Sequence, residues 1–202
     1  MVAVPRIVAD PEAYFRSLAS PEQGRDELRA SSGVPEIGPV LGGLLELLCR
    51  IMHVRLVLEL GAAQGYSTMF LARAVRDCGG AVLSLDLHQR HCREAACRLG
   101  RARLDAGCLV VCADARMLPA RNGCFDLVFL DVDQRYYSAL EPVCYDALRP
   151  GGLLVVDNTA FEDACGLNVA LRDNGRWDAV NLLAFLPDHA PEHDGFCLAR
   201  KR

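Results

Sequence analysis

The sequence predicts an α/β fold, a three-layer, doubly wound sandwich on a seven-stranded, mostly parallel sheet whose last strand runs antiparallel. Three observations lead there. From residue 55 onward short apolar runs alternate with helical segments. Several of those runs are apolar on both faces, as strands inside a parallel sheet are. Many also end in glycine or a carboxylate, at the sheet end where ligands collect in such folds.

The elements follow in order. Residues 1–36 are polar and punctuated by proline and glycine, with short helical patches in PEAYFRSLA and PEQGRDELRA, and read as a helical arm or lid. Residues 37–202 read as one domain, with no internal repeat or linker to divide them. From Ile37, the positions Val40, Leu41, Leu44, Leu45, Leu48, Ile51 and Met52 recur at helical spacing and give an amphipathic helix before the first strand. Strands are expected at 55–60, 81–86, 108–113, 125–131, 152–157, 178–185 and 195–201, with helices at roughly 66–77, 89–104, 135–148 and 163–173. Only LPDHAPEHD separates the last two strands, too little for a crossover helix, so they pair antiparallel.

Composition narrows the function. The 202 residues are 51% hydrophobic and 24% charged with a formal charge of -4, which leaves no basic footprint for nucleic acid and favours small or neutral partners. The ten cysteines form no C-x-x-C pair and no zinc-type spacing with histidine, and read as reduced core residues. The opening MVAVPRIVADPEAYF meets charge and proline before any long apolar run, so neither a signal peptide nor a membrane span is expected and a cytoplasmic address is. Lys201 is the only lysine, so a lysine base has few places to stand.

The first strand ends in LELGAAQGYST, where Gly61 and Gly65 allow a tight turn and close approach of a ligand to a helix N-terminus. Ala63 occupies the middle glycine position of G-x-G-x-x-G, which argues against a bound pyrophosphate and against a nicotinamide-dependent oxidoreductase. Asp86 ends the second strand, where it can accept from both ribose hydroxyls, and Asp114 ends the third, where it can receive an adenine amino group. A nucleoside without a diphosphate satisfies this set. Asp131 and Asp133 close the apolar run FDLVFLDVDQRYY, and Asp157 with Asn158 closes the next strand. Singly, such residues are equally polar strand ends or helix caps. Standing at the end of the sheet where ligands sit, the acids point to a bound ligand.

In combination, VLELGAAQGYSTMFLARAV, VLSLD, FDLVFLDVDQRYY, LRPGGLLVVDNT and GFCLARKR resemble the cation-dependent O-methyltransferases, the group of catechol and caffeoyl-CoA O-methyltransferases, over roughly residues 35 to 202. The resemblance implies the Rossmann-like methyltransferase sandwich and S-adenosylmethionine as cofactor. Glu59, Gly61, Ala63 and Gly65 would line its methionine end and Ser67 would bind the methionine carboxylate. Asp86 would take the ribose, Asp114 with Ala115 the adenine, and Asp131 would stand between cofactor and acceptor. It places a divalent metal, Mg²⁺ or another cation suited to hard oxygen donors, between Asp131, Asp157 and Asn158, where two vicinal hydroxyls of a small aromatic acceptor could complete the coordination. A homodimer is a further expectation from the resemblance.

The sequence departs from the family at Gln134, where the family carries the lysine held to deprotonate the reacting hydroxyl. A glutamine amide can orient a hydroxyl but cannot take its proton near neutral pH, and the neighbouring Arg135 stays protonated. Four explanations stay open: acidification by the metal alone, an acceptor that ionises readily, Asp133 as a substitute base, or cofactor binding without ordinary turnover. Among hydroxyl acceptors, a modified tRNA uridine is the alternative; arginines 90, 93, 98, 101 and 103 are read as a solvated helix face rather than as its docking surface. His53, His189 and His193 are read as packed or surface residues. Trp177, Tyr136 and Tyr137 either stack on the acceptor or fill the interface between sheet and helices.

Overall fold

A computed structural model describes residues 8–19, 37–118 and 123–202. The patch PEQGRDELRA lies outside the described residues. Helix α1 (Pro11–Leu18) opens the described chain, capped by the Asp10 side chain, which accepts from Ala13 N at 3.0 Å. Helix α2 (Gly38–Ile51) follows at the position that the apolar periodicity predicts.

Seven strands form one sheet: β1 (Leu56–Leu60), β2 (Ala81–Asp86), β3 (Cys108–Cys112), β4 (Phe125–Leu130), β5 (Leu148–Val156), β6 (Trp177–Phe185) and β7 (His193–Lys201). Their order is β3-β2-β1-β4-β5-β7-β6, with β1 to β5 parallel and β7 antiparallel to both of its neighbours. Between them run α3 (Tyr66–Arg76), α4 (Gln89–Arg101), α5 (Tyr137–Ala147) and α6 (Cys165–Asp173).

The strand alternation sorts the core. Val57, Val82, Leu127, Phe129 and Val155 face α2, α3 and α4, while Leu58, Leu60, Val128, Leu130, Leu154 and Val156 face α5 and α6. Central strands buried on both faces explain why these runs are continuously apolar. Each fully buried leucine or valine contributes about 1.5–3 kcal/mol relative to exposure.

Three expectations need correction. Strand β5 starts at Leu148 rather than 152, because Leu148 already pairs with Phe125 ahead of a register shift and Arg149 reaches Asp126 at 2.6 Å. The hydrophobic run marks only the strand's later, buried part. The cysteines are all free, but only Cys49, Cys92, Cys144 and Cys197 are buried; Cys78, Cys97, Cys112, Cys124 and Cys165 are exposed. The acceptor-stacking alternative fails for Trp177, which is 2% exposed, stacks edge-on against Tyr145 and donates to Glu141 at 2.7 Å. No helix among the described residues is long and apolar enough to cross a membrane.

Candidate active site

The strand order reverses direction between β1 and β4, and a cavity of about 430 Å³ opens there at the carboxyl ends of the parallel strands. Gly61, Ala63, Asp86, Asp114, Ala115 and Asp131 all line it, together with Leu87, His88, His91 and Tyr136. The turn after β1 requires its glycines. Gly61 has φ +104, and a Cβ there would collide with the Asp131 carbonyl; Gly65 has φ +80 and packs against Ala95 of α4.

Asp86 is fixed before any ligand arrives. Its carboxylate accepts from Ala63 N at 2.9 Å and His88 N at 2.8 Å, and His91 Nδ1 lies 3.2 Å away. Asp114 accepts from the Arg116 backbone at 2.9 Å and from its guanidinium at 2.6 Å, which holds the Asp114 carboxyl below the usual carboxylate range. Arg116 in turn covers the Tyr136 ring at 4.8 Å and forms one wall of the cavity.

Glu59, Gly65 and Ser67 stand behind that wall rather than on it. Glu59 points to the α2/α3 face, is fully buried, and accepts from Ser67 Oγ at 2.5 Å, Thr68 Oγ1 at 2.6 Å and Ser84 Oγ. Burial raises its carboxyl above the ordinary value, although the three hydroxyls oppose that shift. The cluster ties the N-terminus of α3 to β1 and β2.

Beyond Asp131 the adjacent ends of β4 and β5 carry a second group of polar side chains. Leu130 pairs with Val156, and Asp157 N donates to Leu130 O at 3.1 Å, so Asp131 and Asp157 follow in register. Burial first, then the like charge of Asp157, drives the Asp131 carboxyl well up. Asn158 sits in the left-handed region at φ 51; its Nδ2 donates to Asp194 Oδ2 at 2.6 Å and its Oδ1 accepts from Gln134 Nε2 at 3.3 Å. The buried Tyr137 hydroxyl donates to the Asp157 carbonyl at 3.0 Å and pins this strand end, so Tyr137 is structural rather than free to stack on an acceptor.

His189 is not a bystander. It is 5% exposed, and its Nε2 lies 3.1 Å and 2.9 Å from the two carboxylate oxygens of Asp157. Burial pulls the imidazolium down, but the bond and charge of Asp157 outweigh it and hold the ring above its ordinary value. Asp194, also absent from the sequence-level candidates, is fully buried and accepts from Asn158, Gly195 N at 2.6 Å and Ala160 N at 3.4 Å. No local signal marks either residue; both come from the return into β7.

The remaining base candidates are accounted for. Asp133 pairs with Arg135 at 2.5 Å, which lowers its carboxyl and makes it a weaker proton acceptor. Lys201 Nζ donates to the carbonyls of Tyr145 at 2.6 Å and Leu148 at 2.8 Å, at the C-terminal end of α5, whereas Tyr136 at its other end lines the cavity. His53 lies in the turn before β1, and His193 faces Glu12 of α1 at 3.2 Å.

The oxygen donors fit a divalent cation. Ligand atoms of Asp157, His189 and Asp194 fall within 4.8 Å of one another, and Asp131, at the neighbouring strand end, adds a carboxylate that accepts no hydrogen bond from any described residue.

A nucleoside-sized cavity at the switch point of this sheet, with Asp131 on its lining, defines a Rossmann-like enzyme with a nucleoside site. A family model described as a methyltransferase domain matches residues 58–159. The chain is 31% identical to the catechol O-methyltransferase of Niastella koreensis over 191 residues, covering 84% of this chain and 85% of that one. It is 36% identical to the catechol O-methyltransferase of Mycobacterium tuberculosis over 173 residues, 80% and 78% of the two chains. Among solved structures, the cofactor-bound Rv0187 from MTB superposes with TM-score 0.73 at 26% identity, covering 96% of this chain and 90% of that one. The O-methyltransferase TomG from Streptomyces achromogenes shares the fold with TM-score 0.75 at 24% identity, covering 94% and 95%. The chain belongs to the class I, S-adenosylmethionine-dependent O-methyltransferases of the catechol type.

Proposed function

We propose that this methyltransferase acts on a hydroxyl of a small, catechol-like aromatic acceptor with the help of a divalent cation, Mg²⁺ in the first instance. The observation that carries this reading is the adjacency of the cavity and the oxygen-donor cluster through one residue, Asp131, which lines the former and belongs to the latter. The activity named for the Niastella and Mycobacterium relatives supports the acceptor class.

Asp86 would receive the ribose hydroxyls, the Asp114 and Ala115 segment the adenine, and the Gly61 to Ala63 turn would lie against the methionine part. Ser67 and Glu59 would act through the turn they brace. Asp131, Asp157 and Asn158 would hold the cation, which would acidify and orient the acceptor hydroxyl. S-adenosylmethionine held there would supply the methyl group to the acceptor oxygen, with its carbon–sulfur bond broken and S-adenosylhomocysteine released. Gln134 contributes orientation and no proton transfer, since its amide is no base. The hydroxyl proton therefore passes to solvent before or during the transfer.

The experiment is transfer of a labelled methyl group from S-adenosylmethionine to vicinal-diol aromatics, with Mg²⁺ and with chelator, beside arms containing unmodified bulk tRNA and hydroxyuridine-containing tRNA. Label on the diols that disappears with chelator supports the proposal. Label on hydroxyuridine tRNA alone would replace the acceptor, and cofactor binding without label on any acceptor would favour a binding role without turnover.

A further inference from the structure

We propose that His189 is an additional ligand of the metal centre, making it a mixed nitrogen and oxygen site that prefers Mn²⁺, Fe²⁺ or Co²⁺ to Mg²⁺. This rests on the divalent-cation reading above and goes beyond its all-oxygen donor set.

The argument begins with the other ring nitrogen. His189 Nδ1 lies 2.6 Å from the carbonyl oxygen of Pro191, and a carbonyl only accepts, so Nδ1 carries a proton. Nε2 faces the Asp157 carboxylate and donates to it while no ion is bound, and a cation that displaces that proton meets the Nε2 lone pair beside Asp157. Metal-ligating histidines are held in this way, with the distal N–H donated to a backbone carbonyl or carboxylate that fixes tautomer and ring orientation.

Spacing agrees. Nitrogen and oxygen donors each about 2.1 Å from one ion, at a right angle, stand roughly 3.0 Å apart. His189 Nε2 stands 2.9 Å and 3.1 Å from the Asp157 oxygens. Ligand atoms of Asp157, His189 and Asp194 all fall within 4.8 Å of one another. Asp194 is already committed to three N–H donors and positions Asn158, so the ligand added to the Asp131, Asp157 and Asn158 set is the imidazole.

The ring is also preorganised. His189 N donates to Leu186 O at 3.0 Å, Leu186 N to Glu192 O at 2.6 Å, and Asp188 N to Glu192 Oε1 at 3.0 Å, which closes the loop that carries it. Imidazole suits borderline transition ions, whereas Mg²⁺ favours oxygen and water.

The test is Mn²⁺ binding to the full chain, followed by pulsed electron paramagnetic resonance, with His189→Gln and Asp131→Asn beside the wild type. Expected are an imidazole nitrogen coupling in the wild type and its loss in His189→Gln. Mn²⁺ affinity should fall about tenfold or more in His189→Gln while Mg²⁺ affinity changes far less. The wild-type spectrum decides even if a variant folds poorly. Mn²⁺ bound through Asp131 with no nitrogen coupling would overturn the ligand assignment and leave the oxygen site standing. Tighter Mn²⁺ binding by His189→Gln would also overturn it, making the imidazole a competitor for Asp157. No Mn²⁺ or Mg²⁺ binding by the wild type would remove the metal reading itself.

Discussion

Gln134 Nε2 donates to Asn158 Oδ1 across 3.3 Å, so the side chain in the family's lysine position spends its donor on a metal-ligand candidate rather than on a substrate proton. Arg135 pairs with Asp133 and weakens it as a proton acceptor, and Lys201 is committed to carbonyls at the end of α5.

From that follows a rate governed by the acceptor's own acidity. With the wild type, methyl transfer near neutral pH should rise steeply along a series of increasingly acidic catechols. Gln134→Lys should flatten the series and speed the least acidic members by about 10²-fold, the lower end for general-base assistance. Initial rates of both proteins across the series, from pH 6 to 9, check this. Equal slopes would mean that proton removal is not limiting.

Asp86 should dominate cofactor affinity. Its two oxygens are oriented by Ala63 N and His88 N, and replacing the carboxylate weakens charge-assisted bonds of about 1.5–3 kcal/mol. Asp86→Asn should therefore raise the Kd for S-adenosylhomocysteine roughly ten- to a hundredfold. Calorimetric titration measures it directly.

The buried carboxylate of Glu59 should reveal itself in stability rather than in binding. Its folded value is raised above the ordinary 4.5, so the folded protein holds the proton more tightly than the unfolded chain. The stability it contributes is therefore lost as pH rises from about 4.5 through the raised folded value. Glu59→Gln keeps an acceptor oxygen and should flatten that decline in melting temperature. Glu59→Ala strands three buried hydroxyls and should cost about 3 kcal/mol or more.

Helix α1 should behave as a separable cover. Arg16 forks onto Glu192 at 2.6 Å and 2.8 Å and lies 5.3 Å from the Phe185 ring, joining α1 to the loop that carries His189. Arg16→Ala should speed amide exchange over residues 11–18 with little change in melting temperature. The hydrogen bond to Arg16 holds Glu192 at about 2, so its contribution is present above the ordinary 4.5 and is lost as pH falls through about 2. Docking of α1 should therefore outlast ordinary carboxylate titration, which exchange measured at pH 3 and 5 will show.

Much of this was legible locally. The positions of β1 to β4 follow from runs of apolar residues at strand length, and α2 from its periodicity, because each element buries a face set by its own repeat. Asp86 and Asp114 were readable as a set, and Asp131 as a further acid at the same edge, because parallel strands in register deliver their ends to one edge of the sheet. The start of β5 was not, since Arg149, Pro150 and Gly151 carry no apolar signal and are held in the strand by pairing and by Asp126.

The sequence by itself determined an α/β fold, the methyltransferase family it resembles, the edge of the sheet that carries the candidate site, and the absence of a lysine from position 134. Tertiary structure decided what surrounds those residues. His189 meets Asp157 across 32 positions of chain and Asp194 meets Asn158 across 36. The inward turn of Glu59 onto the hydroxyls of Ser67, Thr68 and Ser84 was settled in the same way. The physical reason is that a sequence period reports only which side of an element is buried. Which polar groups meet there depends on the packing of elements distant in the chain, here β7 returning antiparallel beside β5.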